Sequence, residues 1–143
     1  MTIETLFKLP VTANTPLVRT DYSDKSAWTE LCRLVEAPYE DEFRAFFTFV
    51  DDPRLEDKTV NELMDLVESG GYWSCFFVAD HEALLNPEHP VMAVDLHEER
   101  GRTFRVIPAQ IWAVENNLFV SNMEFSSFAV RADPDGVFRG FKD

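Results

Sequence analysis

Residues 46–80, FFTFVDDPRLEDKTVNELMDLVESGGYWSCFFVAD, decide the fold. Phe46 to Val50 is apolar at nearly every position, which predicts a strand buried on both faces in the middle of a largely parallel sheet. Asp51-Asp-Pro53 closes it. Thr59-x-x-Glu62 is a capping box, and it opens a helix with Val60, Leu63, Met64 and Val67 on the inner face and Gly70-Gly71 as its stop. Trp73 to Ala79 then reads as a second strand with apolar residues on both faces. Strand, helix, strand is the repeating unit of an α/β fold.

Toward the N-terminus, Leu17 to Thr20 alternates as a short strand. Asp21-Tyr-Ser-Asp24 supplies capping side chains for a helix whose stripe is Trp28, Leu31, Cys32 and Val35, with Pro38 beyond its end. Toward the C-terminus, His81 to Leu85 predicts one helical turn, ended by Asn86-Pro87. Val91–Leu96 and Thr103–Ile107 flank a Gly-containing loop and predict a hairpin, with Phe104 and Val106 inward and Thr103 and Arg105 outward. Pro108 opens a short helix through Trp112, and Leu118–Val120 reads as a further strand after Asn116-Asn117. Ser121-x-x-Glu124 reads as a second capping box, before a helix with Phe125, Phe128 and Ala129 inward. Asp133-Pro-Asp-Gly136 is a turn, after which Val137-Phe138 and Phe141 dock on the core.

This order predicts one α/β domain over residues 1–143, with 1–14 a loosely ordered N-terminal segment. The expected architecture is a three-layer sandwich around a mixed five- to six-stranded sheet, with a parallel centre from the first three strands and an antiparallel hairpin edge. Leu31, Phe47, Phe49, Leu63, Phe76 and Val78 are expected to be buried together.

At 143 residues the chain can bury about 70% of its unfolded surface, and 13 Phe with 3 Trp supply bulky core material. The start carries Glu4 and lacks the apolar run of a signal peptide, and no apolar run approaches the roughly 20 residues of a membrane span. Cys32 and Cys75 both lie in apolar periodic segments and read as reduced core residues, which points to the cytoplasm. A formal charge of −13 repels nucleic-acid phosphates and anionic lipids, and leaves a basic protein or a divalent cation as compatible partners.

Several stretches resemble a known group. Arg19–Asp24 with Trp28, Phe49–Pro53, Phe77–Asp80, Glu88–Pro90, Arg102–Arg105, Glu115–Leu118, Asn122–Phe125 and Gly136–Phe141 are similar to an uncharacterised family of small acidic bacterial proteins, over most of the chain. The resemblance implies a bacterial cytosolic domain and carries over no functional residue.

Two functional readings follow from the residues. Asp21, Asp51, Asp52 and Asp80 each follow a strand, and if those strands are parallel the carboxylates share one sheet edge, where α/β proteins bind ligands. Asp21, Asp52 and Asp80 would then hold Mg²⁺ or Mn²⁺ for a phosphoesterase, with Asp51 as general base. Asp at a strand-to-helix junction is also a helix cap or a turn former, worth about 1 kcal/mol each, and Asp21 and Asp52 fit that role without any metal. No Walker loop, dinucleotide fingerprint, nucleophile elbow or paired-His helical spacing occurs, and neither cysteine sits in a motif that marks it as an activated thiolate. Arg100, Arg102 and Arg105 form a basic cluster that could bind an anion or guard a sheet edge, and Trp73 and Trp112 are candidate binding anchors. The acidic runs Glu36–Glu42 and Asp51–Asp57, taken with the net charge, favour the other reading: a non-catalytic interaction protein that engages a basic protein partner, as inhibitor and immunity proteins do.

Overall fold

A computed structural model describes residues 8–10, 12–39, 43–67 and 73–142. Strands β1 (Thr15–Arg19), β2 (Phe47–Val50), β3 (Cys75–Ala79), β4 (Val91–Asp95), β5 (Thr103–Val106) and β6 (Val137–Phe138) form one sheet in the order β2-β1-β3-β4-β5-β6. Helices α1 (Lys25–Glu36), α2 (Val60–Asp65), α3 (His81–Leu85), α4 (Pro108–Phe119) and α5 (Phe125–Ala129) connect them. β1 runs parallel to β2 and β3, β4 runs antiparallel to β3 and β5, and β6 runs parallel to β5. The mixed α/β sheet is as expected, with the hairpin toward one side and β6 outside it.

The pleat divides the core, because neighbouring residues on a strand point to opposite faces. Leu17, Phe77, Ala93 and Phe104 pack with Trp28, Leu31, Ile111, Val114 and Phe128. Val18, Phe76, Val78 and Val94 pack instead with Leu63, Leu55 and Leu9. The six residues expected in one cluster therefore separate. Leu31 and Phe47, with Phe49 against them, belong to the first group, and Leu63, Phe76 and Val78 to the second.

The capping signals act locally as read. Asp24 accepts from the Ala27 N–H at 3.0 Å and starts α1. Thr59 and Glu62 cap α2 reciprocally. The Gly70-Gly71 stop lies outside the described residues. Within the N-terminal segment, Leu9 is buried and its N–H donates to the Leu66 carbonyl at 2.8 Å, and Trp73 Nε1 donates to the Thr12 carbonyl at 3.0 Å. Residues 1–7 lie outside the described set.

Three expectations are corrected. β2 is an edge strand and not a central one, and Phe46 precedes it half exposed. Its apolar run covers the core with Phe47 and Val50 and presents Phe46 to solvent. Leu118–Val120 is not a strand, since α4 continues to Phe119. Ile111, Val114 and Leu118 fall on one helical face, and the two asparagines that read as a turn lie inside the helix. Asn117 Nδ2 donates to the Ala113 carbonyl one turn back, and Asn116 Nδ2 to the Arg44 carbonyl. The Ser121 capping box does not form. Ser121 sits at φ +57°, Glu124 occupies the N-cap without a side-chain bond, and the Glu98 carboxylate reaches over from the hairpin loop to accept from Ser126 N and Oγ.

Candidate functional site

The carboxyl ends of β1, β2 and β3 bring Asp21, Asp51, Asp52 and Asp80 to one edge, as parallel strands require. The chain order reverses beside β1, so the boundary between β1 and β3 is the switch point at which such sheets bind ligands. Each carboxylate there has a donor of its own. Asp21 is buried; it accepts from His81 Nδ1 at 2.7 Å and from the Ser23 N–H at 2.8 Å. Burial alone would raise its carboxyl, but the hydrogen bonds from Ser23 and His81 outweigh that and hold it below the usual range. Asp52 caps the 3₁₀ turn Pro53–Leu55 and pairs with Arg54. Asp80 caps α3 and takes a two-pronged bond from Arg105, at 3.0 and 2.7 Å. Asp51 meets Arg19 at 3.4 Å.

Among the described residues no group of three or more His, Cys, Asp or Glu is placed to hold a metal ion. Raising Mg²⁺ or Mn²⁺ to millimolar levels is therefore expected to leave the melting temperature unchanged. A rise with metal concentration that Asp80→Asn removes would instead establish a metal site at the strand ends, the first requirement of the phosphoesterase reading.

The thiols offer no nucleophile. Burial pushes Cys32 up to about 12 and Cys75 higher still. His89 donates from Nδ1 to the Ala83 carbonyl, as expected of a turn histidine. Of the basic cluster, Arg105 is spent on Asp80 and the Pro90 carbonyl, and Arg102 pairs with Glu99.

A second surface was not foreseen. The segment leading into β2 lies along α4. Phe43 packs on Trp112 with ring centroids 5.1 Å apart, and Tyr39 stacks on the same indole at 5.2 Å. One turn further on, the Arg44 carbonyl accepts from Asn116 and the Phe46 N–H donates to Glu115 at 2.8 Å. Tyr39, Phe43, Phe46, Phe119 and Val120 are between 46% and 67% exposed, so this side of the molecule presents large apolar groups to water. In sequence it is flanked by Glu36 and by Glu40-Asp-Glu42.

Phe46, Phe119 and Val120 enclose a cleft of about 270 Å³ with Asn14, Asn116 and Glu115. Glu115 is 2% exposed and accepts from Phe46 N, from Thr15 Oγ1 at 3.0 Å and from Asn116 Nδ2 at 3.4 Å. Desolvation raises its carboxyl, and the bonds from Phe46 and Thr15 offset part of the rise. The sequence signal for it was an acid on a core stripe: Ile111, Val114, Glu115 and Leu118 fall at i, i+3, i+4 and i+7.

A family model described as a domain of unknown function, DUF6924, matches residues 14–141. No curated protein matches the chain.

Proposed function

The chain belongs to the DUF6924 family, and we propose that it works as a non-catalytic interaction protein, binding a basic protein partner through the aromatic face around α4. The observation that supports this reading is the grouping of Tyr39, Phe43, Phe46, Phe119 and Val120 in the open, on a protein of net charge −13. Contiguous exposed aromatic surface rimmed by polar groups marks interaction sites, and aromatic side chains dominate interface energetics. In sequence, Glu36 before Tyr39 and Glu40-Asp-Glu42 between Tyr39 and Phe43 set the sign of the partner. The strand-end carboxylates, each bound to its own donor, serve to fasten strand ends to the helices and loops beside them. Two buried or half-buried free thiols suit a protein that works in the cytoplasm.

Immobilised at low salt, the chain is expected to retain basic proteins from a cell lysate and to release them as ionic strength rises, because charge complementarity is screened within about 10 Å at 0.1 M salt. Retention indifferent to salt, or retention of acidic proteins, contradicts the reading.

A further inference from the structure

We propose that the cleft between Phe46 and Phe119 is a receptor for one alkylammonium group, the side chain of a lysine on the basic partner. This rests on the interaction reading above and deepens it by naming the group that the face takes in.

Three independent features of the cleft favour a cation. First, its lining includes Glu115, whose buried carboxylate is bound by three donors, among them the backbone of Phe46 and the amide of Asn116 in the same lining. Second, the cleft sits at the C-terminal end of α4, where the helix dipole is negative, and the last turn of that helix carries no basic residue to compensate it. Third, its walls are aromatic, and ring faces attract cations. The Phe46 ring already does so within the molecule, with the Arg44 guanidinium 5.1 Å from its centroid.

Size and acceptor count narrow the occupant. A cleft of about 270 Å³ falls below the roughly 300–1,000 Å³ of sites for drug-sized ligands, so it suits one side chain and not a nucleotide or cofactor. Glu115 Oε1 takes two donors and Oε2 takes one, out of about four acceptor positions on a carboxylate, which leaves about one free. One free position suits the point charge of an ammonium and denies a guanidinium its two-pronged bond. The amide side chains of Asn14 and Asn116 in the same lining carry oxygens for the remaining ammonium protons. The four-carbon stem lies against Phe46, Phe119 and Val120, as lysine stems do on apolar surface.

The test is a titration of the isotope-labelled full chain with n-butylammonium chloride, read by amide and aromatic NMR shifts. Saturable shifts centred on Phe46, Glu115 and Phe119 are expected, with a dissociation constant on the order of millimolar for so small a probe. The uncharged n-pentanol is expected to bind at least about tenfold more weakly, and n-butylguanidinium to fall between the two. Glu115→Gln should weaken n-butylammonium by about tenfold or more. Phe119→Ala, at an exposed position outside the core, should weaken it several-fold and keeps the test open if Glu115→Gln does not fold. Absence of saturable shifts at these residues overturns the proposal, as does equal binding of n-pentanol. The two readings fail separately. If the chain retains basic proteins while n-butylammonium leaves the cleft unmoved, the cleft proposal alone is lost. If n-butylammonium binds as described and no basic protein is retained, the cleft stands and the partner reading is lost.

Discussion

Replacing Phe76 with alanine is expected to lower the unfolding free energy by about 3–5 kcal/mol, the largest effect of any single core truncation proposed for this chain. Phe76 is fully buried on β3, a strand with neighbours on both sides, and packs among Val18, Leu63, Val78 and Val94. Its face of the sheet is covered by the short helix α2, Leu55 and Leu9, so few groups can move in to fill the cavity. The loss should appear in urea unfolding as a lower midpoint with an unchanged slope. A loss below about 1 kcal/mol would show that this second cluster contributes little to the core.

The next largest effect is expected at Asp95, which sequence reading did not single out. Its side chain is 1% exposed and accepts from three successive backbone N–H groups, those of His97 at 2.9 Å, Glu98 at 3.2 Å and Glu99 at 2.6 Å. Hydrogen bonds to a charged acceptor contribute about 1.5–3 kcal/mol each, and they do not add fully when one carboxylate serves them all. Asp95→Ala is therefore expected to cost about 2–4 kcal/mol, and Asp95→Asn distinctly less because it keeps one acceptor oxygen. The loop so held presents Glu98 to Ser126 at the start of α5, so amide exchange at Ser126 should quicken in the alanine variant. A cost under about 1 kcal/mol, with Ser126 exchange unchanged, would mean that water replaces the carboxylate without penalty.

The elements that were legible in the sequence are those whose signals are local. Asp24 before α1, the Thr59 and Glu62 box, the helical turn from His81 to Leu85 and the Gly-containing turn of the hairpin each act on their own neighbours, and each formed where it was read. Periodicity found β3 and the Trp28 stripe for the same reason. What failed depended on distant partners. Nothing in Phe46 to Val50 distinguishes a strand flanked on both sides from one at an edge, and Leu118-Phe-Val120 has strand-forming side chains that α4 overrides by packing Leu118 into the core and leaving Phe119 and Val120 outside.

The candidate sites divide in the same way. Parallel strands were enough to place Asp21, Asp52 and Asp80 on one edge. Their partners were hidden because His81 lies sixty residues from Asp21, and Arg105 twenty-five from Asp80. The aromatic face is hidden in the sequence because Phe46, Phe119 and Val120 read as strand residues and Tyr39 lies in an acidic run, while Trp112, a candidate anchor, is the ring on which Tyr39 and Phe43 rest.

One comparison tests whether that face binds the partner. Wild type and the Phe46→Ser/Phe119→Ser double variant are immobilised side by side and given the same lysate at low salt, after thermal unfolding has shown that their melting temperatures agree. Wild type is expected to retain a basic protein that elutes as salt rises, and the variant, with its acidic residues untouched, to lose most of that retention. Equal retention by the two would contradict this expectation, since binding would then owe nothing to the aromatic face around α4.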